Sequence, residues 1–233
     1  SKRFENHNDE KAIGDESPGY IKNPLVPKRI AETIPKVKII FCLRNPIDRA
    51  YSQWWRAQHN FMNTEFKRCL YHHSLNSLFV VPGYYFNHIS LWDKYFDKDQ
   101  LKITFFDDFI SDNKTFIQDI YEFIGVDNNY IPKIINKKIQ SSKTKAGPNN
   151  FLKLIEPVIK TGEKIGKNTP EYIKEGVLRP IYEKIYEFSL TGKNYEEGMN
   201  TQTRIKLEKI YYHDIKKLEK RVNRNLSHWF KYI

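Results

Sequence analysis

The feature that most constrains the fold is an apolar run that lies between two prolines and leads directly into a helix start. Residues 37–43 are almost uninterrupted in their apolar character, with Pro35 before them and Pro46 after them. A run of this kind, rich in β-branched residues, is typical of a buried strand in a parallel sheet. Asn45 suits the N-cap of a helix, and Asp48 places a carboxylate near the positive end of the helix dipole. The sequence therefore predicts a strand, a short loop and a helix that runs to about residue 58.

Periodic apolar residues elsewhere predict further helices and one more strand. The predicted helices lie near 26–34, 84–96, 113–124, 151–165, 171–188 and 202–222, and the second strand lies at 101–106. The last helix is predicted to bury an apolar stripe, followed by a terminal anchor at Leu226 and Trp229. The members of the stripe are Leu207, Tyr211, Ile215, Leu218 and Val222. Residues 60–82 have no regular pattern and are predicted to be irregular. Because strands and helices alternate over the first half, we expect an α/β fold. We expect a single domain, with an α/β core at 18–126 and a basic, helical part at 127–233.

The net charge is +11, from 39 Lys and Arg against 28 Asp and Glu. Such a balance favours an anionic partner: a nucleotide, a sulfated or phosphorylated ligand, nucleic acid or a membrane surface. The alternative is a solvated, lysine-rich surface. No recognised nucleic-acid-binding motif is present, so we expect no nucleic-acid partner.

Other classes of protein fit the sequence poorly. No run approaches the roughly 20 apolar residues of a membrane span, and the polar N-terminal segment does not resemble a signal peptide. The sequence thus predicts a cytoplasmic protein without a membrane span. Its cysteines, Cys42 and Cys69, are too few for a sulfur-based metal site, and Cys42 is predicted to be a small core residue.

The predicted strand–helix junction has the features of an anion site. Backbone N–H groups at a helix N-terminus point beyond the carboxyl end of the preceding strand, where they favour negative charge. Arg44 adds a guanidinium that can hold two phosphate oxygens. Ser52 lies about 10 Å along the helix axis from Asn45, at a rise of about 1.5 Å per residue, within reach of an extended arginine. In the alternative arrangement, Arg44 pairs with Asp48 and Ser52 faces solvent.

Residues 43–52, Leu-Arg-Asn-Pro-Ile-Asp-Arg-Ala-Tyr-Ser, resemble the 3′-phosphate-binding motif of sulfotransferases. These enzymes use 3′-phosphoadenosine 5′-phosphosulfate as the sulfuryl donor and release 3′-phosphoadenosine 5′-phosphate. The resemblance implies that Arg44 and Ser52 hold the 3′-phosphate of the donor, without a metal. It also implies a P-loop-NTPase-like parallel sheet flanked by helices, with a helical C-terminal part. Further stretches agree in order and are most similar to the bacterial and heparan-type branch: 15–20, 83–96, 106–126, 203–204 and 225–229.

The sequence departs from the family at its beginning. The family opens with a strand and a Gly/Lys/Thr-Ser loop that holds the 5′-phosphosulfate, followed by a general base that is often a glutamate. No such strand or loop precedes residue 37. The expectation is therefore a partial domain that begins after the catalytic loop. We assign no catalytic residue and expect weak nucleotide binding and no turnover from these residues alone.

The resemblance implies transfer of a sulfuryl group to a hydroxyl or amine, with an anionic or neutral saccharide as the expected acceptor. The alternative is a nucleotide- or polyanion-binding module without catalysis. Lys143 and Lys145 lie in a stretch, 128–155, that contains no acidic residue, and they face either the donor, an anionic acceptor or solvent. Lys193 lies where the family has a basic loop on the donor side.

Three other groups have titratable side chains that suggest chemistry. His88 is predicted to be a core histidine with a satisfied hydrogen bond. His72 and His73 lack the partner spacing of a zinc site. Asp107 and Asp108 suggest a metal or acid–base pair, but the resemblance implies a structural role for them.

Overall fold

A computed structural model describes residues 9–57, 65–133, 135 and 198–233. Its helices are α1 Val26–Thr33, α2 Pro46–Ala57, α3 His73–Phe79, α4 Tyr85–Trp92, α5 Phe106–Ser111, α6 Asn113–Ile124 and α7 Thr201–Val222. Its strands are β1 Ile39–Leu43 and β2 Leu101–Phe105. Short 3₁₀ turns lie at Tyr20–Lys22, Phe66–Leu70, Val81–Gly83 and Ser227–Trp229. The helices predicted at 151–165 and 171–188 lie outside the described residues.

The two strands form a parallel pair. Ile39 lies opposite Leu101 and Leu43 lies opposite Phe105, so both strands end at the same edge of the sheet. The chain passes through α2, α3 and α4 between them, as the crossover between parallel strands requires. The predicted α/β fold with a parallel sheet is confirmed.

Strand β1 buries only one of its faces. Phe41 and Leu43 are buried, whereas Ile40 and Cys42 are exposed. Successive side chains of a strand point to opposite faces, so the apolar run contributes alternate residues to the core. The prediction that Cys42 is a small core residue is therefore wrong.

Helix α2 begins where the sequence predicts. The Oδ1 of Asn45 accepts a hydrogen bond from the backbone N–H of Ile47 at 3.0 Å, and Pro46 is the first helical residue. The side chain of Asn45 thus satisfies one of the N–H groups that an uncapped helix would leave bare. Helix α2 buries one broad face in the core, formed by Ile47, Ala50, Tyr51, Ser52, Trp54 and Trp55.

The prediction of irregular structure over 60–82 is wrong at α3. Leu75 and Phe79 lie four residues apart on this helix and are both buried. The side-chain amide of Asn76 donates to the carbonyl of Cys69 at 3.0 Å and holds the helix against the preceding 3₁₀ turn. Tertiary packing therefore outweighs the weak helix propensity of a short segment that contains serine and asparagine.

Helix α7 forms one wall of the core. Its predicted apolar stripe is confirmed at Leu207, Tyr211, Ile215 and Leu218, which are fully buried, whereas Val222 packs against the core only partly buried. The helix packs against α4 and α2. Beyond it, Leu226 and Trp229 are buried as the predicted terminal anchor. None of the helices in the described ranges is both long and apolar enough to cross a membrane.

Candidate functional site

Arg44 is the first residue after β1 and lies at the carboxyl edge of the sheet. Its backbone carbonyl accepts a hydrogen bond from the Tyr85 hydroxyl at 2.9 Å. Its guanidinium lies over the ring of Phe106, 5.4 Å from the ring centroid, at the start of α5. Among the described residues, this guanidinium has no hydrogen-bond or ion-pair partner. It is therefore held in place by packing and remains available to an anion.

The alternative arrangement, in which Arg44 pairs with Asp48, is wrong. The Oδ1 of Asp48 pairs instead with Nη1 of Arg204 on α7 at 2.7 Å. Ser52 does not face solvent either, because only 8% of its surface is exposed. Within the described part of the chain, its hydroxyl makes no hydrogen bond.

Asp107 and Asp108 follow the end of β2 and are both engaged by the C-terminal segment. The Oδ2 of Asp107 accepts from Nε1 of Trp229 at 2.9 Å and lies 3.1 Å from Nε2 of His228. The two carboxylate oxygens of Asp108 accept hydrogen bonds from Nη1 and Nη2 of Arg224, at 2.5 and 2.7 Å. This arrangement agrees with the structural role expected for the two carboxylates.

The environment of Asp107 keeps its carboxylate ionised. Burial alone would raise its pKa, but the hydrogen bonds from Trp229 and His228 hold the pKa of Asp107 below its ordinary value of 3.8. A carboxylate in this state does not act as a general acid near neutral pH. Its negative charge instead orients the two side chains that contact it.

Trp229 contacts both junctions at this edge of the sheet. Its backbone carbonyl accepts a hydrogen bond from Nδ2 of Asn45 at 2.9 Å, and its ring packs against Tyr85 and Phe105. Sequence reasoning identified Trp229 only as a terminal anchor and missed its contact with Asn45. The two residues are 184 positions apart, and no local pattern signals such a pairing.

The other predicted residues lie away from this edge or outside the described ranges. Lys143, Lys145 and Lys193 are outside the described residues. His88 is confirmed as a core histidine, with Nε2 at 2.9 Å from the carbonyl of Val81. In the described parts of the chain, no group of three or more His, Cys, Asp or Glu side chains is placed to hold a metal ion.

Comparison with known proteins finds similarity to sulfotransferases. A family model described as the sulfotransferase domain matches residues 9–175. The bifunctional heparan sulfate N-deacetylase/N-sulfotransferase 4 of Mus musculus is 32% identical over 129 residues, which are 50% of this chain and 15% of that protein. The corresponding enzyme 2 of Homo sapiens is 30% identical over 125 residues, 48% of this chain and 14% of that protein.

The chain thus spans about 15% of the length of the curated relatives it matches. The crystal structure of a sulfotransferase from Alicyclobacillus acidocaldarius has a TM-score of 0.65 and 18% identity, and the match covers 97% of this chain and 70% of that one. This likeness confirms the predicted P-loop-like α/β fold, and the family model agrees with the resemblance carried by residues 43–52.

Proposed function

The chain belongs to the sulfotransferase family, and from this premise we propose that it binds 3′-phosphoadenosine 5′-phosphosulfate and takes part in sulfuryl transfer to a saccharide. The observation that carries the proposal is the state of Arg44. Its guanidinium sits at the strand–helix junction, packed on Phe106 and without an acidic partner among the described residues. A cation held in this way, next to a helix N-terminus, favours a phosphate ligand.

Three groups would share the 3′-phosphate of the donor. Arg44 would donate two hydrogen bonds from its planar guanidinium, and the N-terminal turn of α2 would add the positive end of its dipole. Ser52, on the same helix, would donate from a hydroxyl that is buried and makes no other hydrogen bond in the described part of the chain. These residues bind and orient the donor and do not take part in bond breaking.

In the reaction, a nucleophilic oxygen or nitrogen of the acceptor forms a bond to sulfur as the bond between sulfur and the 5′-phosphate oxygen breaks. The acceptor proton passes to a base, and 3′-phosphoadenosine 5′-phosphate leaves with the bonding electron pair. As in phosphoryl transfer, the protein contributes mainly positioning and stabilisation of charge. By holding the far end of the nucleotide, Arg44 and Ser52 would contribute to positioning.

We propose a saccharide amine or hydroxyl as the acceptor. The relatives are named as bifunctional heparan sulfate N-deacetylase/N-sulfotransferases, a name that states sulfuryl transfer to nitrogen in heparan sulfate. The formal charge of +11 suits an acceptor that is itself anionic. Lys143, Lys145 and Lys193 are proposed contributors to this positive charge near the nucleotide.

The donor site is tested by titrating adenosine 3′,5′-bisphosphate into the wild-type chain and Arg44→Ala by calorimetry. Loss of a charge-assisted pair should weaken binding about tenfold or more. Arg44→Lys, which keeps the charge but loses the planar fork, should fall between the two. Ser52→Ala should weaken binding by a few-fold, as expected for one neutral hydrogen bond.

Two controls make the titration specific. Arg29→Ala removes the same charge from an exposed position on α1 and should bind as the wild type does. Adenosine 5′-monophosphate lacks the 3′-phosphate and should bind equally to the wild type and to Arg44→Ala. Equal affinity of the wild type and Arg44→Ala for the bisphosphate would remove Arg44 from the site.

A module that binds nucleotide or polyanion without catalysis is the second candidate. Because no turnover is expected from these residues alone, transfer is measured after they are joined to a family strand and loop that bind the 5′-phosphosulfate. The module is favoured if the bisphosphate binds through Arg44 while no labelled sulfate then passes from the donor to an N-deacetylated acidic polysaccharide. Transfer of label that Arg44→Ala reduces supports the enzyme.

A further inference from the structure

We infer that the C-terminal turn Ser227–Trp229 is a positioning element of the nucleotide site, and that Trp229 sets the place of Arg44 through Asn45 and Asp107. The inference rests on the proposed function, since it concerns the same phosphate site. Trp229 lies 185 positions after Arg44 in the chain and acts on the site without contacting the phosphate.

Trp229 joins the two loops that form the carboxyl edge of the sheet. Its backbone carbonyl takes a hydrogen bond from Asn45, the residue after Arg44. Its indole N–H donates to Asp107. Asp107 directly follows Phe106, and the guanidinium of Arg44 lies over the ring of Phe106. Trp229 therefore contacts both Asn45, the residue after Arg44, and Asp107, the residue after the Phe106 ring that supports the guanidinium.

Asn45 connects the start of α2 to the C-terminal turn. Its Oδ1 caps α2 through the N–H of Ile47 at 3.0 Å, while its Nδ2 reaches Trp229 at 2.9 Å. Both ends of the amide are engaged, so the side chain of Asn45 links the first turn of α2 to the C-terminal turn. Tyr85 completes the frame, because its hydroxyl holds the carbonyl of Arg44 and its ring contacts that of Trp229.

The turn is itself fixed to α7 on both sides. Before it, the Oε1 of Glu219 accepts from the N–H of Leu226 at 2.7 Å. After it, the two oxygens of Glu208 accept from the N–H groups of Lys231 and Tyr232, at 3.0 and 2.9 Å. Trp229 is 1% exposed. A rigid support of this kind is what precise placement of a binding group requires, since small displacements of positioned groups reduce binding and rate strongly.

Trp229→Phe is the central variant, because it keeps an aromatic ring and removes the indole donor to Asp107. It also removes part of the buried ring, a loss of volume that the control variant Trp92→Phe shares. Affinity for adenosine 3′,5′-bisphosphate should fall about three- to tenfold, the effect expected for one lost hydrogen bond that acts on the site. Asn45→Ser, which keeps a capping oxygen but lacks the Nδ2 donor, should act in the same direction. In an Arg44→Ala background, neither change should weaken binding further, because the residue through which they act is gone.

Trp92→Phe is the matched control. Trp92 is as buried as Trp229, and its indole N–H donates to the carbonyl of Ile21 at 3.3 Å, away from Asn45 and Asp107. The two substitutions thus remove the same chemical group from two buried sites. Thermal melts should shift by similar amounts, whereas only Trp229→Phe should change nucleotide affinity.

A second measurement does not depend on nucleotide binding. Hydrogen exchange in the unliganded protein should be faster in the first turn of α2, residues 45–49, for Trp229→Phe and unchanged there for Trp92→Phe. Unchanged exchange at 45–49 together with unchanged affinity would overturn the inference and leave the proposed function intact. If the wild type itself fails to bind the bisphosphate, the proposed function fails, and the inference with it; faster exchange would then support only a structural role for the turn.

Discussion

Glu208 offers a sharp test of how the C-terminal tail is held. Its side chain is completely buried on α7, and its two oxygens accept separate backbone hydrogen bonds from Lys231 and Tyr232. Its Oε1 also lies 3.3 Å from Nε of Arg204. We expect Glu208→Ala to destabilise the protein by removing three contacts of one buried charge.

The size of the stability loss in Glu208→Ala depends on which former partners of the carboxylate can be hydrated. Each hydrogen bond to a charged acceptor is worth about 1.5–3 kcal/mol, so the two backbone bonds amount to roughly 3–6 kcal/mol before relaxation. Lys231 and Tyr232 are exposed, so their N–H groups can be rehydrated, and Arg204 keeps its pair with Asp48. The expected loss is therefore about 2–4 kcal/mol, below the upper range for a broken buried ion pair. For a chain of this length, the melting temperature should fall by roughly 5–15 °C.

Thermal unfolding followed by circular dichroism, with urea unfolding as a check, measures this loss. Glu208→Gln keeps one carbonyl acceptor and should lose about half as much stability as Glu208→Ala. Glu65→Ala removes an exposed carboxylate paired with Lys67 and should melt with the wild type. If Glu208→Ala also melts within about 2 °C of the wild type, the carboxylate does not hold the tail, and the support proposed for Trp229 loses its basis.

The remaining predictions concern packing, helix capping and pH. Gly83→Ala would place a Cβ 2.7 Å from the hydroxyl of buried Tyr211, so a loss of about 1–3 kcal/mol is expected in thermal melts. Asp214→Ala removes the acceptor of two backbone N–H groups in the first turn of α4, at 3.0 and 3.1 Å, and should cost about 2 kcal/mol. Asp107→Asn should cost about 1 kcal/mol at pH 7, because the two donors lose a charged acceptor that is partly exposed. The difference in stability between the wild type and Asp107→Asn should disappear in acid. The pKa of Asp107 is lower in the folded protein than its ordinary value of 3.8, so the stability that its carboxylate contributes is lost as the pH falls from 3.8 through the folded-state pKa.

A control variant or a contradicting result tests each of these three substitutions. Gly19→Ala meets no atom within 4 Å and should leave stability unchanged, so an equal loss there would show that Gly83 has no special packing constraint. Asp112→Ala also removes two backbone contacts, from the exposed N-cap of α6, and should cost less than Asp214→Ala. A stability difference between Asp107→Asn and the wild type that grew in acid would contradict the assignment of a lowered pKa.

The parts of the fold that the sequence predicts well are those whose signal is contiguous. The unit β1–α2 was predictable because the apolar run, the capping Asn45 and Pro46 stand next to one another. Helix α6 was predictable for the same reason, since it ends at Gly125 with a φ of 81°, a conformation that favours glycine. The apolar stripe of α7 follows from helical periodicity alone.

The parts that the sequence did not reveal depend on contacts between distant segments. Helix α3 forms because Leu75 and Phe79 find a core to pack against, which its own composition does not indicate. The exposure of Cys42 depends on whether other elements cover the second face of β1. An apolar run in the sequence does not indicate whether one or both faces of a strand are covered. The partner of Asp48 is Arg204, 156 residues later, and no local rule would select it over Arg44.

The pair of Asp48 and Arg204 has an electrostatic consequence for the site. A carboxylate in the first turn of α2 would repel an incoming phosphate and attract the guanidinium of Arg44. Because Arg204 neutralises that carboxylate from α7, the helix can keep an acidic residue near its start and still offer a net positive junction. A neutral side chain at position 204 would release Asp48 as an internal competitor for Arg44 and should weaken the binding of external anions at the junction.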